Sequence, residues 1–309
     1  TKAVFYQNHS ASQGYRNHSK YKQQVFNARV WHDLSESSQI SWQFNYTNSP
    51  YAYDAGGINI EMVKENTKQA RPQNETYNTY ETINHLKTGL QWKKKINDNL
   101  SLDSYAFYAH RDFVGRLPFG FGGFVDLKRD YYGLGTAMEY KPKNHHRMQL
   151  RFSLADQKDH RQRFKNLNGL SGESTLDQDE LFFNYSLSFL DELEWDFGLL
   201  RLGLRYDYQH LSTQRERDEV QLNSLNPSIG FTYTKLGNNV IFVSYSSSFE
   251  TPTLNELSAN PSANEGFNPN LTPSKAHNFE LGWRFTTPQN KLEATIYTIN
   301  TQNEILPYE

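Results

Sequence analysis

The strongest constraint on this chain is a beat of two, in which apolar and polar side chains alternate through segment after segment. Ile40, Trp42, Phe44 and Tyr46 are separated by Ser41, Gln43 and Asn45. Met148, Leu150, Phe152 and Leu154 are separated by Gln149, Arg151 and Ser153, and Phe183, Tyr185, Leu187 and Phe189 by Asn184, Ser186 and Ser188. Leu200, Leu202, Leu204, Tyr206 and Tyr208 alternate with Arg201, Gly203, Arg205 and Asp207. Near the end, Phe279, Leu281, Trp283 and Phe285 alternate with Asn278, Glu280, Gly282 and Arg284. Successive side chains of a strand point to opposite faces, so each segment carries one oily and one wet face.

A soluble antiparallel sheet and a membrane barrel share that signature, and segment length separates them. The runs extend roughly 10 to 14 residues, enough to cross a bilayer at ~9–11 per strand, whereas soluble strands average ~5–6. Trp31, Trp92, Tyr140, Trp195, Tyr208, Tyr233 and Phe285 gather near segment ends, where an interfacial girdle belongs. Thirteen strands are expected, at 2–9, 21–33, 39–48, 83–95, 99–112, 129–141, 146–157, 179–190, 194–210, 226–235, 239–249, 275–286 and 290–300. Their links alternate in length. Residues 34–38, 96–98, 142–145, 191–193, 236–238 and 287–289 are short turns, and 10–20, 49–82, 113–128, 158–178, 211–225 and 250–274 are long loops. Short turns at one end and long loops at the other are the habit of outer-membrane barrels. The expected fold is therefore all-β, an antiparallel transmembrane β-barrel. Thirteen is an odd count and such barrels usually have an even one, so residues 1–309 are expected to be part of a larger barrel, incomplete at one or both ends. A small complete barrel is the alternative.

Composition agrees. The mean hydropathy is -0.81, yet aromatics make up 15% of the 309 residues, too many for a disordered chain. A net charge of -2 gives no reason to expect nucleic acid. There is no Cys, no apolar run approaching a transmembrane helix, and no signal-peptide pattern at Thr1, so the chain is expected to begin inside a longer protein. No nucleophile elbow, phosphate loop or acid–base pair suggests an enzyme. The ten His show no metal-ligand spacing, and neither a metal nor a cofactor is expected.

The run Phe249-Glu250-Thr251-Pro252-Thr253-Leu254-Asn255-Glu256-Leu257 is followed by Asn268-Pro269-Asn270-Leu271-Thr272-Pro273-Ser274, then by Asn278-Phe279-Glu280-Leu281-Gly282. That order resembles the late-barrel signature of TonB-dependent outer-membrane receptors of the ferric-siderophore and ferric-citrate type. Gly14-Tyr15-Arg16-Asn17-His18-Ser19, Asp54-Ala55-Gly56-Gly57-Ile58 and Leu202-Gly203-Leu204-Arg205-Tyr206-Asp207 support it. The resemblance spans essentially the whole chain. It implies a bacterial outer-membrane location, a barrel of about 22 strands, and a plug domain and TonB-engaging box that are not visible here. It implies, as partners, the TonB complex, a ferric-siderophore-like small ligand, and outer-membrane lipid and lipopolysaccharide. Pro252, Asn270, Leu271, Glu280 and Gly282 are expected to be structural motif residues. Haem receptors of the family place a His between the two boxes, and 250–268 contains none.

The ligand chemistry expected is negative charge carried on planar groups, which suits Arg forks and aromatic faces. The loop Arg are Arg16, Arg71, Arg111, Arg116, Arg129, Arg161, Arg163, Arg215 and Arg217. The candidates drawn from the loops are Arg116, Phe119, Phe121 and Phe124, with Arg16, Arg111, Arg129, Tyr51 and Tyr53. Residues 116–124 combine one Arg, three Phe and three Gly, and either line a vestibule or pack on neighbouring loops. Substrate stays open among siderophore, ferric citrate, a quinone cofactor and cobalamin. A passive porin-like channel and an adhesin are the competing classes.

Overall fold

The computed structural model describes residues 1–214, 218–258, 267–268 and 270–306; Arg215, Arg217 and Pro269 lie outside the described residues. It contains thirteen strands: β1 (Lys2–Ser12), β2 (Tyr21–Ser35), β3 (Ser38–Tyr53), β4 (Tyr80–Lys95), β5 (Leu100–Arg116), β6 (Phe124–Lys143), β7 (His146–Leu167), β8 (Leu170–Trp195), β9 (Gly198–Thr213), β10 (Glu219–Leu236), β11 (Asn239–Glu250), β12 (Ser274–Thr286) and β13 (Lys291–Gln302). Among the described residues, three short helices lie in the connections, α1 (Ile60–Glu65), α2 (Pro72–Thr76) and α3 (Leu254–Ser258). The strands form one sheet in chain order, each beside its sequence neighbours. No helix among the described residues is long and apolar enough to cross a membrane.

Register keeps the two faces apart. Leu200 pairs Phe231, Phe231 pairs Val243, Val243 pairs Leu281 and Leu281 pairs Ile296, one apolar row across β9 to β13. One residue along, Arg201, Gly230, Ser244, Glu280 and Tyr297 form the facing row. A slip of one residue would exchange the faces. The apolar row is not tucked inside. Leu202, Leu204, Ile229, Ile241, Phe279, Leu281 and Trp283 are all exposed, as are Leu134, Met138, Leu150, Phe152, Leu187 and Phe189. An apolar face this broad is tenable only against a non-aqueous medium.

Sequence and structure differ most in the long links. Residues 158–178 are not a loop: β7 and β8 continue to a two-residue turn at Asn168-Gly169, with φ of 51° and 91°. Alternation is lost there because both faces of 158–167 are polar, but strand pairing continues. The Asn-Gly pair was the available signal, since a type I′ hairpin needs positive φ at both central positions. The expected turn at 191–193 falls instead at 196–197, because β8 runs on through Trp195.

The contacts divide the chain into two units, 1–92 with 105–133 and 156–181, and 93–104 with 134–155 and 182–309. In the second unit, Leu211, Leu222, Leu257 and Phe267 form a small buried cluster, with Leu254 and Leu271 packed on it. Burying Leu257 contributes about 1.5–3 kcal/mol.

Candidate functional site

The 54–79 connection begins where β3 ends, and its fold is organised by buried polar groups. Asn74 donates to the Asp54 carbonyl at 3.2 Å and to its carboxylate at 3.1 Å, while the Thr79 hydroxyl donates to the same carbonyl at 2.7 Å. Arg16 donates to the carbonyls of Gln69, Gly56 and Ala55 at 2.9, 2.6 and 3.1 Å. Two sequence motifs, 14–19 and 54–58, are therefore one structural unit, and the structure places the Arg16 fork on loop carbonyls.

Four of the expected ligand residues come together at the strand ends beside it. Lys20 Nζ lies over Tyr53 at 4.8 Å and over Tyr51 at 5.7 Å. Tyr53 packs on Tyr80 at 5.4 Å. Arg116 lies between Tyr80, at 4.5 Å, and Phe124, at 5.2 Å. Such cation–ring contacts contribute roughly 0.5–2 kcal/mol each, more as water is excluded. Tyr80 links Tyr51 and Tyr53 to Arg116 and Phe124, and sequence reasoning missed it because it opens a strand without a motif. Phe119 and Phe121 do not join this run; Phe121 is 77% exposed at the loop tip.

Arg111 and Arg129 meet elsewhere, in a cavity of about 680 Å³ within the first unit. Its lining holds four cations, Arg29, Lys87, Arg111 and Arg129, with Tyr105, Phe107, Tyr131 and His85, and no Asp or Glu. Only Arg129 has a carboxylate, Asp159, which it grips through Nε at 2.7 Å and Nη2 at 2.6 Å. Arg29 lies on Trp31 at 4.8 Å and Arg111 on Phe113 at 5.1 Å. The Arg111 Nε is buried with no hydrogen-bond partner. Among the described residues, Arg29, Lys87 and Arg111 form no ion pair. Arg29 and Lys87 are exposed and Arg111 is half-buried, so the set is solvated positive charge beside rings, chemistry that suits an anion with flat faces.

The late motifs fall partly in the β11–β12 connection and partly on β12. Pro252 is buried, and Thr253 and Glu256 form a reciprocal helix cap: the Glu256 carboxylate accepts from the Thr253 N–H at 2.7 Å, and the Thr253 hydroxyl accepts from the Glu256 N–H at 3.3 Å. Asn270 N–H donates to the Asn268 side chain at 3.1 Å, and Leu271 packs on the Leu257 cluster. Glu280 accepts from Asn278 at 3.1 Å. Gly282 lies opposite Phe242, and a Cβ there would meet that ring at 2.0 Å.

The sequence pattern of the family described as TonB dependent receptor-like, beta-barrel matches residues 7–309. The chain belongs to that family. Among solved structures, this receptor chain is similar to the ferric citrate transporter FecA in its unliganded form, at 15% identity and a TM-score of 0.78 over 97% of this chain and 46% of that one. It is also similar to the copper transporter OprC, at 13% and 0.76 over 97% and 49%. The siderophore receptor PiuA from Acinetobacter baumannii is similar at 17% and 0.67, over 96% and 52%. At these identities the likeness shows the fold, and the chain spans about half the length of the structures it matches. The family is one of outer-membrane receptors and transporters, and the receptor's thirteen antiparallel strands have its barrel fold.

Proposed function

We propose that this chain is the substrate-receiving wall of an outer-membrane importer for an anionic iron complex, of the ferric-siderophore or ferric-citrate type, energised through TonB. The observation that carries the reading is the cavity with four cations and no carboxylate in its lining. Guanidinium forks match carboxylate or catecholate oxygens two at a time, and ring faces flatten against the planar parts of the complex. A cavity of about 680 Å³ is within the ordinary range for small-molecule sites. Lys20, Arg116 and their rings serve as a first contact nearer the loops.

In the same reading, residues 1–309 are part of a barrel of about 22 strands, and the plug and the TonB-engaging box belong to the rest of a receptor about twice this length. A second substrate, a planar quinone cofactor bearing carboxylates, is favoured by the stacked rings of Tyr105 and Phe107. Cobalamin carries a single phosphodiester charge and otherwise neutral amides, and so offers these cations less to meet.

The test is uptake of radioiron by cells relying on the full-length receptor. Ferric citrate should enter only when TonB is present, and a neutral ferric trihydroxamate should enter poorly. Equal entry without TonB would establish a passive channel instead.

A further inference from the structure

Asn166, near the end of β7, is 2% exposed, and its side-chain amide and its own N–H are all hydrogen-bonded. Its side-chain amide donates to the carbonyl of Tyr77 at 3.0 Å and to that of Leu117 at 3.2 Å. Its side-chain oxygen accepts from the Gly169 N–H at 2.7 Å, and its own N–H donates to the Gly120 carbonyl at 2.7 Å. These partners belong to three different connections: β3 to β4, β5 to β6, and the β7–β8 turn. The fit is close. Gly169 has φ of 91°, and a Cβ there would meet the Asn78 Cβ at 2.9 Å.

We infer that Asn166 is a positioning residue that locks these three connections into one cooperative unit and thereby holds Arg116 and Phe124 against Tyr80. The ligand part of this inference rests on the proposed function; the locking does not. A residue at the crossing of three loops, with its side-chain amide and its N–H all committed, makes opening any one of them cost contacts to the other two. The β5–β6 connection is glycine-rich, and its Leu117 N–H donates to Gly123 O at 2.7 Å; beyond that closure the Asn166 bonds to Leu117 and Gly120 tie it to the rest of the unit. Arg116 immediately precedes the clasped Leu117, so its place between two rings follows from the clasp.

The experiment is hydrogen–deuterium exchange on the unliganded full-length receptor in bilayer discs. Asn166→Ala should speed exchange on the order of tenfold in 72–79, 117–123 and 166–172 together. Asn166→Asp keeps the acceptor for Gly169 and loses both donors, so it should loosen 72–79 and 117–123 while sparing the turn. Lys165→Gln removes only the exposed pair with Glu173, whose carboxyl Lys165 holds below the usual range, and should leave all three segments unchanged. Loosening confined to 166–172 in both Asn166 variants would overturn the inference. Ferric citrate then probes positioning. Asn166→Ala and Arg116→Gln should weaken its binding without adding to one another, and fully additive losses would overturn the positioning role. If Arg116→Gln alone leaves ferric citrate binding intact, the proposed capture role of Arg116 fails, and the exchange result still decides the clasp.

Discussion

Two sets of cations lie on these strands and meet opposite fates. Arg147 is bound by Glu139 at 2.6 Å and Glu192 at 2.8 Å, Glu192 also holds Arg201 at 2.7 Å, and Lys141 completes the series on Glu139 at 2.9 Å. Apart from Lys141, which pairs within β6, each of these charges is shared with a neighbouring strand, and the result is a stitched wall. Around the 680 Å³ cavity, Arg29 lies on Trp31 and Arg111 on Phe113, and among the described residues neither they nor Lys87 has a carboxylate. In the proposed reading, the same side chains are structural where their charge is spent and receptive where it is left over. Counting Arg does not distinguish them; counting their partners does.

The largest effect that should separate the sets is on binding. Replacing Lys87 and Arg111 together by Gln should weaken ferric citrate on the order of a hundredfold, by removing charge-assisted bonds of about 1.5–3 kcal/mol each. Titration calorimetry on the purified receptor checks this, and unfolding should be unchanged. The converse is Glu192→Gln, which strips Arg201 of its carboxylate and leaves Arg147 with one. It should lower stability by about 1–2 kcal/mol, measured by urea unfolding in bilayers, and leave ferric citrate affinity untouched. A binding defect in that variant would erase the distinction.

The wall was legible from sequence and the receptive set was not. Alternation located all thirteen strands, because a strand facing lipid on one side and water on the other must repeat every two residues. It failed at 158–167, where both faces are polar, and the Asn168-Gly169 turn was passed over as loop. Arg111 and Arg129 stood out as loop-end cations, but Arg29 and Lys87 sit inside strands and read as ordinary wet-face residues. Whether a cation is partnered depends on a strand across the sheet, as with Arg129 and Asp159, 30 residues apart. Tyr80 and Asn166 were missed for the same reason: their roles exist only once separate connections meet.

Both the stitched wall and the receptive cavity presuppose that the face opposite Phe279, Leu281, Trp283 and Phe285 is wet. Single spin labels placed in turn at 278–285 along β12, in the full-length receptor in a bilayer, test this directly. Collisions with oxygen should peak at 279, 281, 283 and 285, and collisions with a water-soluble nickel reagent at 278, 280, 282 and 284. Peaks of both reagents at the same positions, or no two-residue period, would contradict it.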